Sequence, residues 1–143
     1  MRNKLVYKYI GKVLIGYAIL LLCPVLIGLY YNEPTTSFLI PSAISMTLGI
    51  TLNNLKPQNK NLYAKDGFVI VTISWFLISL IGVLPFMIGD NLSFFDALFE
   101  TVSGLTTTGA TIYNDVEHLP NSILFWRSLT NFIGGMGVLA FFM

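Results

Sequence analysis

The placement of charge limits this chain more than any other feature. Three stretches, 13–31, 34–55 and 67–89, contain no Asp, Glu, Lys or Arg. The hydrocarbon core of a bilayer is about 30 Å thick, and a helix needs roughly 20 apolar residues to cross it. Each stretch is long enough to cross once and too short to cross twice. A fourth apolar segment, 121–143, carries one charge, Arg127, near its start. Overall, 10% of the residues are charged and 55% hydrophobic, against about 25% charged and roughly 45–50% apolar in an average soluble domain. Too few charges remain to coat a water-facing surface, and so hydrophobic a chain is not disordered. The expected fold is an all-α integral membrane protein with four transmembrane helices.

The remaining composition removes whole classes of function. A net charge of +1 leaves no basic footprint for nucleic acid. A single cysteine, Cys23, forbids an internal disulfide framework or a Cys-based zinc site. A single histidine, His118, forbids a His-rich transition-metal centre within the chain. No Cys–His pair or His cluster is present to support intramembrane catalysis, so no enzyme is expected. Cys23 reads as a small apolar filler and His118 as an exposed loop residue.

Basic residues orient a membrane protein toward the cytoplasm. The N-terminal arm carries Arg2, Lys4, Lys8 and Lys12 and no acid. The loop after the second stretch carries Lys56, Lys60 and Lys65 against Asp66, while the loop after the first carries only Glu33. The segment after the third carries Asp90, Asp96, Glu100, Asp115 and Glu117, with no Lys or Arg before Arg127. The N-terminus and the 56–66 loop are therefore expected in the cytoplasm, and the 32–36 loop and 90–120 segment outside. Lys4, Lys8 and Lys12 lie four apart, a stripe suited to anionic lipid headgroups. The first stretch is too long for a signal-peptide core and has no A-x-A-like site after it. Pro24 is expected to kink the first helix; Pro41 and Pro85 fall near helix ends, where proline costs less.

Residues 90–120 are too polar to span and too apolar for an ordinary loop. Phe94, Phe95, Leu98, Phe99, Val102 and Leu105 recur at helical spacing. Ser93 and Asp96 have the form of a capping box, with Leu92 placed to staple onto Ala97. The predicted helix runs from 93 to about 105, roughly 18 Å at 1.5 Å per residue, or half a membrane. A Thr/Gly run follows, Gly104-Leu105-Thr106-Thr107-Thr108-Gly109-Ala110-Thr111. Half a helix, a Thr/Gly run and a return to the same side describe a re-entrant loop. Such backbone is tolerated at membrane depth only where protein buries it or it lines a watery path.

A monovalent cation suits that arrangement. The helix C-terminus carries about half a negative charge, and the carbonyls from Thr106 to Gly109 can replace a hydration shell. Gly109 can take the positive φ that aligns successive carbonyls. Asp90, Asp96, Asp115 and Glu117 would concentrate cations outside. Glu100 lies one turn deeper than Asp96 and is expected to brace the loop through its backbone amides; direct ion attraction is the other reading. Arg127 is expected to snorkel or to pair with Asp115 or Glu117. Gly104-x4-Gly109-Ala110-Thr111 nearly spells a phosphate-binding loop, but Ala110 stands where lysine is required. Gly134-Gly135-Met136-Gly137 sits inside an apolar helix, without the strand a dinucleotide site needs, and reads as a close-packing surface.

The run Phe99-Glu100-Thr101-Val102-Ser103-Gly104-Leu105-Thr106-Thr107-Thr108-Gly109-Ala110-Thr111 closely resembles the first pore loop of the TrkH-like membrane subunits of the Trk/Ktr potassium-uptake superfamily. Phe125-Trp126-Arg127-Ser128-Leu129 with Ile133-Gly134-Gly135-Met136-Gly137 resembles the helix that follows it, and Lys65-Asp66-Gly67-Phe68 the entry to the helix before it. The resemblance implies a pore of four helix–loop–helix repeats preceded by two added helices. Residues 1–66 would be the added pair and 67–143 the first repeat. The chain stops at Met143 within apolar sequence, so it is expected to be a fragment or a truncated product that lacks the other three repeats. The resemblance also implies inward K⁺ conduction with no other cofactor, a homodimer, a cytoplasmic nucleotide-binding regulatory subunit and a prokaryotic inner-membrane location. It places K⁺ on the backbone of Thr107 and Thr108, with Thr106, Gly109 and Ala110 shaping the same quarter-ring and Glu100, Asp96 and Gly104 supporting it. A non-transporting membrane anchor or assembly protein with a re-entrant hairpin is the alternative.

Overall fold

The computed structural model describes residues 3–57 and 61–142. Lys60 and Met143 therefore lie outside the described residues. Five α-helices follow one another: α1 Asn3–Tyr30, α2 Thr36–Asn53, α3 Ala64–Asp90, α4 Phe94–Leu105 and α5 Asn121–Phe142. No strand occurs among the described residues.

α1 begins ten residues earlier than the uncharged stretch 13–31 indicates, because the basic arm is itself helical. Long-chain lysines are good helix formers and leave the turn intact. Lys4 and Lys12 are exposed on it, and the Lys12 ammonium lies 5.1 Å from the centre of the Tyr9 ring. α1 continues through Pro24.

α1 and α2 form an antiparallel hairpin with a seam of small residues. A methyl at Gly11 would come 2.7 Å from the Gly49 carbonyl oxygen, and one at Gly49 would come 2.9 Å from the Gly11 carbonyl oxygen. Further along, Ser45 Oγ donates to the Leu14 carbonyl (2.7 Å) and Ser42 Oγ to that of Ala18 (2.9 Å). Small residues let the backbones approach, and the hydroxyls convert that approach into interhelical hydrogen bonds. The neighbouring face of α1 presents Ile10, Leu14, Tyr17 and Leu21 to the core. Phe38 of α2 and Trp126 of α5, both fully buried, meet there with ring centres 6.1 Å apart, and Tyr17 lies 5.8 Å from Trp126.

α5 runs antiparallel to α3. Gly89, near the end of α3, faces Ile123, and Gly137 faces Trp75 half-way along α3. α4 descends between them and stops half-way down α5. There a methyl at Gly134 would sit 2.7 Å from the Leu105 carbonyl carbon, so only glycine admits this contact. Gly134 is thus a packing residue, as its sequence context indicates.

Two helical segments among the described residues, Lys4–Tyr30 and Ala64–Asp90, are long and apolar enough to cross a membrane. Four were expected. α2 is diluted by Ser37, Ser42, Ser45, Thr47 and Thr51.

Candidate functional site

α4 starts and ends as its sequence dictates. Ser93 Oγ accepts the Asp96 amide (3.3 Å) and donates to Asp96 Oδ2 (2.8 Å). The cap is therefore a shared hydroxyl and not the reciprocal box. Asp96 is exposed there and serves its own helix start, away from the Thr/Gly loop. The helix is built inside-out for a soluble protein. Phe95, Phe99 and Val102 are exposed, at 80%, 47% and 39%, while Glu100, Thr101 and Ser103 are buried. Thr101 Oγ1 lies 2.9 Å from the Gly82 carbonyl oxygen of α3. Gly104 makes room for the buried Thr130, whose Cβ would lie 2.9 Å from a methyl at that position.

The loop after α4 folds back over the helix end. The amide of Thr107 donates to the Gly104 carbonyl and that of Thr108 to the Ser103 carbonyl, both at 2.9 Å. This is a Schellman termination, which requires a left-handed residue at the Thr107 position. Thr107 has φ 58°. Asn32 and Asn91 hold the corresponding positive φ, 55° and 53°, just past α1 and α3. Asparagine tolerates that region; a β-branched residue there is an outlier. Gly109 also has positive φ, 75°. Sequence reasoning assigned this geometry to Gly109 alone and missed Thr107, because threonine gives no such signal.

With the Thr107 and Thr108 amides turned toward the helix, the carbonyls of Thr106, Thr107, Thr108 and Gly109 receive no hydrogen bond from any described residue. These residues are exposed. The hydroxyl of Thr106 donates to the Val102 carbonyl (2.7 Å), so the Thr108 hydroxyl donates to Thr106 Oγ1 (2.8 Å). The Ala110 carbonyl differs from its neighbours, accepting from Ser103 Oγ at 2.6 Å. Four consecutive unpaired carbonyls at a helix C-terminus form an electronegative surface of the kind that replaces water around a cation.

Glu100 holds the far end of the loop. Its Oε1 accepts from the Thr111 hydroxyl and from the Ile112 amide (2.8 Å), and its Oε2 from Arg127 Nε of α5 (3.1 Å). The Glu100 side chain is 2% exposed and that of Arg127 19%. The expected pairing of Arg127 with Asp115 or Glu117 is corrected. Asp115 instead engages His118, and α4 packing against α5 brings Arg127 to Glu100. His118 is exposed, as expected. The space left between Glu100, Ser103, Gly109, Arg127 and Asn131 is about 10 Å³, at most one water.

A second carboxylate with a role not apparent from sequence is Glu33, in the loop between α1 and α2. Its Oε1 accepts from the backbone amide (2.7 Å) and Nδ2 (3.2 Å) of Asn121, and its Oε2 from the Ser122 amide (2.9 Å). Glu33 therefore caps the start of α5, where free amides and the helix dipole favour an anion. Partial burial opposes its ionisation. The hydrogen bonds from Ser122 and Asn121 outweigh that and hold the carboxyl below its usual range.

Among the described residues, no three His, Cys, Asp or Glu side chains gather as a metal-binding group. Residues 35–143 match the TrkH family of cation transport proteins. The chain is 42% identical over 127 residues to the Trk system potassium uptake protein TrkG of Escherichia coli K12, covering 86% of this chain and 26% of that protein. It is 39% identical to an uncharacterized cation transporter of Methanocaldococcus jannaschii, covering 91% of this chain and 28% of that protein. It is 34% identical to the Trk system potassium uptake protein TrkH of Vibrio parahaemolyticus, covering 97% of this chain and 30% of that protein. The chain thus spans less than a third of the length of these relatives, two named as potassium uptake proteins and one as a cation transporter. With its match to the family running through α2 to α5 and across the Thr/Gly loop, the chain belongs to the TrkH family of cation transport proteins.

Proposed function

We propose that these residues are the N-terminal part of a membrane subunit that takes up potassium. In this reading K⁺ passes over the backbone carbonyls of Thr106, Thr107, Thr108 and Gly109, with Ala110 completing the turn out of the quarter-ring. The observation that carries the reading is the row of four carbonyls without donors at the C-terminus of α4. Each would cost several kcal/mol in lipid unless a partner replaced the missing hydrogen bond. A dehydrated cation is such a partner.

In this reading residues 1–66, with α1 and α2, are an added pair, and residues 67–143, with α4, α5 and all of α3 but its first turn, are one repeat of four. α4 is the re-entrant pore helix, with α1, α2, α3 and α5 spanning the membrane. The exposed Phe95, Phe99 and Val102 then face protein supplied by the other repeats. Glu100 and Gly104 support the loop, and Asp96 sets the start of its helix. The N-terminus and the lysines of the 56–66 loop lie on the cytoplasmic side of a prokaryotic inner membrane, in contact with lipid headgroups. A second copy of the subunit and a cytoplasmic nucleotide-binding regulatory protein complete the system.

The test is growth at low K⁺ of cells deprived of potassium uptake. The complete protein containing these residues should restore growth, and residues 1–143 alone should not, because one loop makes one side of a four-sided ring. A complete protein that reaches the membrane yet restores neither growth nor Rb⁺ uptake would overturn the reading.

A further inference from the structure

We infer that Arg127 is a positioning residue for ion selection, acting through Glu100 on the exit of the Thr/Gly loop; the inference rests on the potassium-filter reading above.

The loop is held at its two ends by different means. At its start, the Thr107 and Thr108 amides bind the carbonyls of α4, so the helix itself fixes those residues. At its end, Ser103 Oγ holds the Ala110 carbonyl, and the Glu100 carboxylate holds both the Thr111 hydroxyl and the Ile112 amide. The stretch with free carbonyls hangs between these anchors. The distance between the anchors sets how far apart the four carbonyls lie.

The Glu100 anchor depends on Arg127. A buried carboxylate is strongly unfavourable unless a cation and hydrogen bonds accompany it. Arg127 supplies the cation from α5 and uses one carboxylate oxygen, leaving the other for the loop. The guanidinium is held on its other side. Its carbon lies 5.8 Å from the centre of the Tyr113 ring, which belongs to the same loop exit. The Arg127 carbonyl in turn accepts from Thr130 Oγ1 (2.7 Å) and Asn131 Nδ2 (3.0 Å). The strut therefore runs from the α5 backbone, through the guanidinium and the carboxylate, to residues 111 and 112. About 10 Å³ of space behind the loop holds at most one water, too little to replace the guanidinium. Arg127 touches no ion in this scheme; it sets the spacing of groups that do.

The experiment measures Na⁺ competition against Rb⁺ uptake in the complete protein, normalised to the amount of protein in the membrane. Arg127→Gln removes the charge and the Nε donor. Thr111→Val removes one loop donor and leaves the ion pair intact. Thr111→Ser keeps the hydroxyl. The expected result is about a tenfold loss of Rb⁺ preference in Arg127→Gln, about threefold in Thr111→Val and none in Thr111→Ser. A role confined to folding would lower the amount of protein and leave the preference of the surviving molecules unchanged. Wild-type preference in both Arg127→Gln and Thr111→Val overturns the inference. If Arg127→Gln fails to accumulate, Thr111→Val decides alone, with unchanged preference overturning the inference. Failure of the wild-type protein to take up Rb⁺ would instead strike the potassium reading.

Discussion

Gly109 offers a clean way to strain the loop without crowding it. Its φ is 75°, and a methyl built there meets no atom within 4 Å. The effect of Gly109→Ala is therefore conformational and not steric. Holding an L-residue in the left-handed region costs about 1–2 kcal/mol. Part of this is offset in global stability, because alanine stiffens the unfolded chain by about 0.4–1 kcal/mol. Thermal unfolding in detergent should therefore shift by only a few degrees. Within the folded protein no such offset applies, and the full strain acts on the loop. At about 1.4 kcal/mol per factor of ten, alternative loop shapes should become roughly tenfold more populated. Each alternative moves the carbonyls of Thr108 and Gly109. In the complete protein, Gly109→Ala should lower the preference for Rb⁺ over Na⁺ up to about tenfold at near-normal expression. Gly109→Asn should lower it less, since asparagine enters the left-handed region more readily. If both variants keep wild-type preference, Gly109 is only a turn residue and the carbonyl row is not the filter.

Three further outcomes are expected. Gly134→Ala drives a methyl into the Leu105 carbonyl and should cost about 1–3 kcal/mol or more; Gly135→Ala, whose nearest neighbour is 3.9 Å away, should be tolerated, and the two can be compared by yield and melting temperature. Glu33→Gln should lower stability by about 1–2 kcal/mol, through weaker bonds to the α5 amides. Because the folded Glu33 carboxyl titrates below its usual range, its contribution is full above the unfolded value and fades as pH falls through the lowered folded value, so the wild-type and Glu33→Gln melting curves should converge in acid. After Cys23 is replaced, a cysteine at Asn114 should react with an impermeant thiol reagent on intact cells and one at Lys60 should not; the reverse pattern would invert the proposed orientation.

The helices were legible in the sequence through runs without charge and through caps, although the helical basic arm hid the start of α1. The uncharged runs mark three of them, and Ser93 with Asp96 marks the start of α4. Partnership between helices was not legible. Asp115 and Glu117 stand near Arg127 in the sequence and on the same expected side, so they were the natural candidates. The actual partner, Glu100, is selected by two contacts between α4 and α5, Gly104 on Thr130 and Gly134 on Leu105. Gly104 bracketed the Thr/Gly run and Gly134 read as a packing residue, but a linear sequence does not say which surfaces meet. Thr107 was missed for a different reason. Its left-handed backbone follows from where α4 must end, and that end is set by the contact at Leu105 and not by threonine's own preference. Strain at a non-glycine residue beside an unpaired carbonyl row is the kind of local disagreement expected where function and not stability set the sequence.

The Glu33 cap has a consequence for the order of assembly. A polypeptide emerges N-terminus first, at about 5–20 residues per second. The α1–α2 hairpin is closed along its own seam by Gly11, Gly49, Ser42 and Ser45, and that seam can form as soon as α2 is made. Asn121 lies 88 residues beyond Glu33. During that interval the Glu33 carboxylate has no helix to cap. When α5 emerges, its bare amides find a receptor already standing at the correct height. The hairpin then acts as a template that registers α5, and through Gly134 and Leu105 it also sets the depth at which α4 stops.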